Sequence, residues 1–142
     1  MPERLSKEAR SRLMSKVRGK NTAPELLVRS VLRSLGYRFR VHVADLPGVP
    51  DVVIPRLKLC IFVHGCFWHR HPDCARATCP TNNAAFWSEK FSRTVVRDRR
   101  TASALRRAGW SVAVIWECKT RDRDALERKI SAIARRASKR GQ

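Results

Sequence analysis

The residues best suited to chemistry lie in one run, Pro50 to Cys74, PDVVIPRLKLCIFVHGCFWHRHPDC, where carboxylate, imidazole, thiol and large apolar rings crowd together. His64, His69 and His71 fall within eight residues, and such a set binds a metal, moves protons, or does both. Cys66, His71 and Cys74 have ligand-like spacing, and Cys118, just past a later strand, could be brought beside them. Three thiolates and one imidazole close a tetrahedral structural Zn²⁺ site, which would staple a loop too polar to fold alone. Cys60, inside an apolar run, reads as a buried thiol, while Cys79 competes with Cys74 for the metal. Asp51, His64 and His69 remain once those ligands are assigned. A carboxylate at a sheet edge holds Mg²⁺ against a phosphate while histidine activates water, which is metal-assisted phosphodiester hydrolysis. Alone, an Asp after a Pro-Gly turn or a His at a strand end is ordinary structure; together, in a very basic chain, they point to a nuclease. Phe67 and Trp68 are either lids over the zinc site or wedges between bases, and a wedge favours weakly paired or mismatched steps.

The composition points the same way. Among 142 residues, 31 are Lys or Arg and 12 are Asp or Glu, a formal charge of +19 that calls for a polyanionic partner. The basic residues are spread along the chain and not gathered on one amphipathic anchor, so nucleic acid is expected, not a membrane. The N-terminus lacks the apolar core of a signal peptide and no apolar run is long enough to span a bilayer, so a cytoplasmic protein is expected. The length suits one domain over residues 1–142 that buries roughly two-thirds of its unfolded surface. No heptad or spare apolar helix face is left over, so a monomer is expected.

The elements that must position these groups follow from periodicity. Residues 8–18 have a thin apolar stripe and four basic residues, either a surface helix or, within residues 1–20, an arm that orders on nucleic acid. A strong amphipathic helix from Asn21 to Gly36 turns Leu27, Val28, Val31, Leu32 and Leu35 inward, with Thr22 and Glu25 as a capping box. Tyr37 to Val43 predicts a strand with Tyr37, Phe39, Val41 and Val43 on one side. Asp51–Ile54 and Leu57–Val63 predict a hairpin; a turn near Arg56 to Lys58 puts Asp51 opposite Val63, whereas a tighter turn at Pro55-Arg56 puts it opposite Cys60. Asn83 to Ala108 is a long helix with Phe86, Trp87, Phe91, Val95 and Leu105 inward, and Lys90, Arg93, Arg97, Arg99 and Arg100 on its other face. Trp110 to Trp116 is a buried strand, Asp124 to Ala137 a closing helix, and residues 135–142 a basic tail expected to fray. The order αβββαβα predicts an α/β sandwich, a mixed central sheet with helices on both faces.

Pro50-Asp51, FVHGCFWHRH (62–71), FWSEKF (86–91), VVRDRR (95–100) and GWSVAVIWEC (109–118) resemble the very short patch repair (Vsr) endonucleases, in order from about Arg10 to past Cys118. The resemblance implies a restriction-endonuclease-like fold and Mg²⁺-dependent nicking of double-stranded DNA 5′ of the thymine in a T·G mismatch left by deamination of 5-methylcytosine. It implies that Asp51 binds Mg²⁺ together with the main-chain carbonyl of Val63. It implies further that His64 and His69 act on water, with His69 as general base, supported by Glu25 and Asp98; that Cys66, His71, Cys74 and Cys118 hold zinc; and that Met14, Phe67 and Trp68 intercalate beside a mismatch faced by the helix bearing Lys90, Thr94 and Arg97. Other DNA repair proteins are implied partners, and the bacterial nucleoid the location. Val63 stands where Thr is common and Thr94 where Asn is usual, which leaves the preferred sequence context open. The rival readings are a nuclease without mismatch specificity, including one built on a ββα-metal motif, and a zinc-stapled DNA-binding module indifferent to Asp51 and Mg²⁺.

Overall fold

The structure is a computed structural model that describes residues 21–75, 77–78 and 81–140. The helix expected over residues 8–18, Met14, the whole 1–20 arm and Cys79 lie outside the described residues.

Helix α1, Ala23–Ser34, starts where Thr22 accepts a bond from the Glu25 main-chain N–H, and Pro24 sits in the first turn, where a missing N–H costs nothing. It ends at Gly36, whose φ of +83° lets the chain turn back and bond Tyr37 N–H to the Leu32 carbonyl. Val28, Val31 and Leu32 are fully buried, but Leu27, expected inward, is 36% exposed.

The strand expected over Tyr37–Val43 is corrected to a two-residue β1, Arg40–Val41. His42 has φ +47°, which breaks the alternation, so Tyr37 and Phe39 pack on one side of the sheet, Val43 on the other, and Val41 faces solvent. Strand β2, Val52–Ile54, turns through a 3₁₀ segment, Pro55–Leu57, and a left-handed Lys58 into β3, Leu59–His64. The hairpin register pairs Val52 with Ile61, Val53 with Cys60 and Ile54 with Leu59. Continued by one step it brings Asp51 level with Phe62, between the two alternatives that the turn left open.

Helix α2, Ala84–Arg107, is the crossover that a parallel pairing requires, and delivers the chain to β4, Ser111–Trp116, alongside β3. Phe86 is 60% exposed, not inward, because the helix only reaches the core from Phe91 onward. Helix α3, Arg123–Arg140, follows a 3₁₀ turn at Glu117–Lys119. Of the basic tail expected over residues 135–142, residues 135–140 form the last turns of this helix, where Ala137 is buried beside Ala134.

The sheet order is β1-β2-β3-β4, antiparallel twice and then parallel. Alternate strand residues serve opposite faces. Val52, Ile54, Leu59, Ile61 and Ile115 meet Val28, Val31 and Leu32 of α1 and Leu126 and Ile130 of α3. Val53, Cys60 and Phe62 meet Leu105 of α2 on the other face. The chain is thus a mixed α/β structure with a four-stranded sheet and three helices among the described residues.

Candidate active site and metal centre

Strands β3 and β4 run parallel with His64 level with Trp116, so the chain leaves both at the same end of the sheet. Two residues further on, Cys66 and Cys118 are neighbours, which is how residues 52 positions apart reach one place. The ligand atoms of Cys66, His71, Cys74 and Cys118 all lie within 4.8 Å of one another, with Cys118 Sγ 3.5 Å from His71 Nδ1. The His71 ring stacks on Trp116 at 4.3 Å and its main-chain N–H bonds the Cys66 carbonyl at 3.0 Å. Three sulfurs and one ring nitrogen at this spacing fit a four-coordinate metal. Burial, with the Cys118 and Cys74 thiols adding to it, pushes the Cys66 thiol up to about 12. A bound metal ion would favour its thiolate.

On the cleft side of the same chain end, His64 and His69 stack face to face, centroids 3.8 Å apart and planes 6° from parallel. Burial, then the neighbouring His69, brings His64 down to about 4, so it is neutral at pH 7. His69 Nδ1 lies 2.7 Å from Asp98 Oδ2 on α2. An ionised carboxylate only accepts, so Nδ1 carries the proton and Nε2 keeps a lone pair for other work. Burial pushes the Asp98 carboxyl up, but the bond from His69, the charge the imidazoles carry once protonated and the nearby Arg97 outweigh it and hold Asp98 below the usual range.

Asp51 precedes β2, and its Oδ2 accepts the Val63 N–H at 2.7 Å. Burial raises it from 3.8 to about 6 against the lowering effect of that bond. Beside it are Glu25 and His42, with ligand atoms of the three within 4.8 Å of one another. Glu25 Oε2 takes the Asn21 N–H at 3.0 Å, Arg29 Nη2 at 3.2 Å and His42 Nε2 at 3.0 Å. Glu25 therefore does more than cap its helix. Asp51, Glu25, Val63, His64, His69 and Asp98 all line one open cleft of about 1070 Å³. Carboxylate oxygens are hard donors and suit a divalent cation.

The groups expected to touch DNA are arranged less simply. Trp68 is 8% exposed and sits edge-on to Phe67, tilted against Trp87, with the Lys90 ammonium 5.3 Å from its ring centre. Phe67 is half-buried against Phe91. Thr94 is buried and its hydroxyl donates to the Lys90 carbonyl at 3.1 Å, whereas Arg97 is exposed at the cleft.

Three residues escaped the sequence reading. Arg70 donates to the carbonyls of Phe67, Ala77 and Thr78 and stacks 4.1 Å over Phe91, tying the cysteine loop to α2. Arg29 and His42 gather on Glu25; the i, i+4 spacing of Glu25 and Arg29 on one helix is a signal the chain carries, whereas His42 reaches Glu25 only through folding.

The family model described as DNA mismatch endonuclease Vsr matches residues 3–76. A type II nicking enzyme, V.XorIIP of Xanthomonas oryzae pv. oryzae, is 50% identical over 133 residues, covering 94% of this chain and 97% of the relative. The DNA mismatch endonuclease Vsr of Escherichia coli K12 is 42% identical over 120 residues, 84% of this chain and 76% of the relative. V.NmeAIP of Neisseria meningitidis is 33% identical over 135 residues, 95% and 96% of the two chains. The chain belongs to the Vsr family. This Vsr protein is an endonuclease. No helix among its described residues is long and apolar enough to cross a membrane.

Proposed function

We propose that this chain is a single endonuclease domain on a restriction-endonuclease-like frame that nicks double-stranded DNA as a monomer, 5′ of the thymine in a T·G mismatch. The observation that carries the reading is the His69–Asp98 pair sharing one cleft with Asp51. His69 Nε2 takes the proton of the attacking water, Asp98 holds the ring in the tautomer that makes this possible, and neutral His64, stacked on His69, keeps the ring plane fixed. Asp51 and the Val63 carbonyl are the Mg²⁺ ligands, with Glu25 supporting them. The cation, when bound, stabilises the charge that develops on the phosphate and favours ionisation of water.

Cys66, His71, Cys74 and Cys118 take zinc, whose part is to hold the loop bearing Phe67, Trp68 and His69. Phe67 and Trp68, with Met14, are the wedge at the mismatch, and opening the stack there costs least where pairing is already weak. Because Trp68 is packed under Lys90 in the free chain, DNA must draw it out. Lys90, Thr94 and Arg97 lie along the helix that faces the bases, and the +19 charge supplies the salt-sensitive attraction to phosphate. The relatives named as a DNA mismatch endonuclease and as nicking enzymes support this substrate. The place proposed for the reaction is the bacterial cytoplasm, on the nucleoid and beside other repair proteins.

The test is single-turnover nicking of a T·G duplex by His69→Ala and Asp98→Asn. Each should lose about 10²–10⁴ in rate with Tm and zinc content kept. Nicking by His69→Ala at the normal rate would remove the proposed base.

A further inference from the structure

His42 is bonded to two acidic residues of the cleft by different parts of itself, to the Glu25 carboxylate and to the Asp51 main chain. Its imidazole Nε2 lies 3.0 Å from Glu25 Oε2, and its main-chain N–H donates to the Asp51 carbonyl at 3.2 Å. Arg29 Nη2 is 3.4 Å from the same ring nitrogen and 3.2 Å from the same carboxylate oxygen. A guanidinium can only donate, so the two nitrogens compete for Oε2. The shorter contact and the charged acceptor make His42 an Nε2–H donor to Glu25. Asn21 closes the group: its N–H bonds Oε2 at 3.0 Å and its Oδ1 accepts from Arg29 Nη1 at 2.8 Å.

All the bonds that Glu25 accepts among the described residues therefore fall on one oxygen, Oε2, and the other is left for the cleft that Glu25 lines. His42 is held to this arrangement at a cost. Its φ of +47° lies in the left-handed region, which disfavours a side chain with a Cβ. A turn alone would be served better by glycine.

The geometry points to His42 as a positioning residue of the nuclease site: the imidazole fixes Glu25 and the main chain fixes Asp51, so one residue sets the spacing of the two carboxylates toward a bound cation. This rests on the proposed reading that Asp51 takes a divalent cation.

The test separates the imidazole from the backbone. His42→Gly relieves the left-handed strain, keeps the N–H bonded to Asp51 and removes the ring. His42→Gln restores a nitrogen donor of similar reach. Mn²⁺ binding to the zinc-loaded protein is measured by the electron paramagnetic resonance of free Mn²⁺, beside the Mg²⁺ dependence of nicking, Tm and zinc content. His42→Gly should keep its Tm and zinc, bind Mn²⁺ about 10–100-fold more weakly, and need correspondingly more Mg²⁺ for half-maximal nicking. Its rate at saturating Mg²⁺ should fall by about 3-fold or less, since the groups that touch the reacting atoms are intact. His42→Gln should recover Mn²⁺ affinity to within about 3-fold of the parent. Parent-like Mn²⁺ binding by His42→Gly, or binding by His42→Gln as weak as by His42→Gly, overturns the inference. If His42→Gly loses its fold, His42→Gln decides alone: parent-like affinity supports the inference and weak affinity overturns it. Asp51→Asn is the control for the reading beneath it. Parent-like Mn²⁺ binding by Asp51→Asn would refute the Asp51 cation site itself, whatever His42 does.

Discussion

Asp51→Asn should make the Mg²⁺-free protein more stable while it stops nicking. Burial raises Asp51 from 3.8 to about 6, so the folded chain holds the proton more tightly than the unfolded one. Ionised Asp51 then costs about 3 kcal/mol of stability above pH 6, at about 1.4 kcal/mol per pH unit of displacement. The cost shrinks as pH falls through 6 and is gone below about 4, where both states are protonated. Asn has the same shape, can still accept the Val63 N–H, and carries no charge. At pH 7.5, with zinc bound and no Mg²⁺, the variant should melt about 10 °C higher, taking roughly 3 °C per kcal/mol for a chain of this size. The advantage should fade toward pH 4.5. His64, brought down to about 4, destabilises both proteins alike as pH falls below 6.5 and cancels in the difference. Adding Mg²⁺ to ten times its Kd should raise the parent by about 1.4 kcal/mol and leave the variant unmoved. The assay is thermal unfolding by circular dichroism across that pH range. An Asp51→Asn protein no more stable than its parent at pH 7.5, or a difference that does not shrink on acidification, would refute the reasoning.

Gly48→Ala should destabilise by about 2 kcal/mol or more, since the new Cβ would lie 2.2 Å from Thr101 Cγ2 and the φ of +74° already excludes it; chemical denaturation measures this. Arg70→Ala should lower Tm and loosen the cysteine loop, because three carbonyls lose their donor and Phe91 loses the guanidinium over it; hydrogen exchange of residues 66–74 should rise while α1 stays protected. Cys118→Ala should bind less than one equivalent of zinc by mass spectrometry and lose cooperative unfolding, whereas Cys60→Ala, buried inside β3, should keep its zinc and lose only packing.

Much of the frame is legible in the chain because each element has a local cause. Pro24 and Gly36 bound α1, Gly109 follows α2, and continuous apolar runs mark β3 and β4. The grouping of Cys66, His71, Cys74 and Cys118 is legible from residue types and spacing. That they meet depends on the parallel register of β3 and β4, which no local pattern prints. The misses also have physical reasons. His42 looks like the polar side of a strand, but its left-handed φ cuts β1 short and turns the ring to Glu25. Arg135 to Arg140 carry the charge of a solvated tail, and the helix that includes them is legible only through the small buried residues Ala134 and Ala137. Trp68, which the chain alone leaves as lid or wedge, is packed in the free protein because α2 supplies Trp87 and Lys90 to cover it.

The most direct test of the central claim is strand nicking on one end-labelled duplex carrying a T·G mismatch and on its matched T·A partner, with and without Mg²⁺. The account predicts a single Mg²⁺-dependent nick just 5′ of the mismatched thymine and an intact matched duplex. Equal cleavage of both duplexes, or tight binding with no cleavage of either across several mismatch contexts, would contradict it.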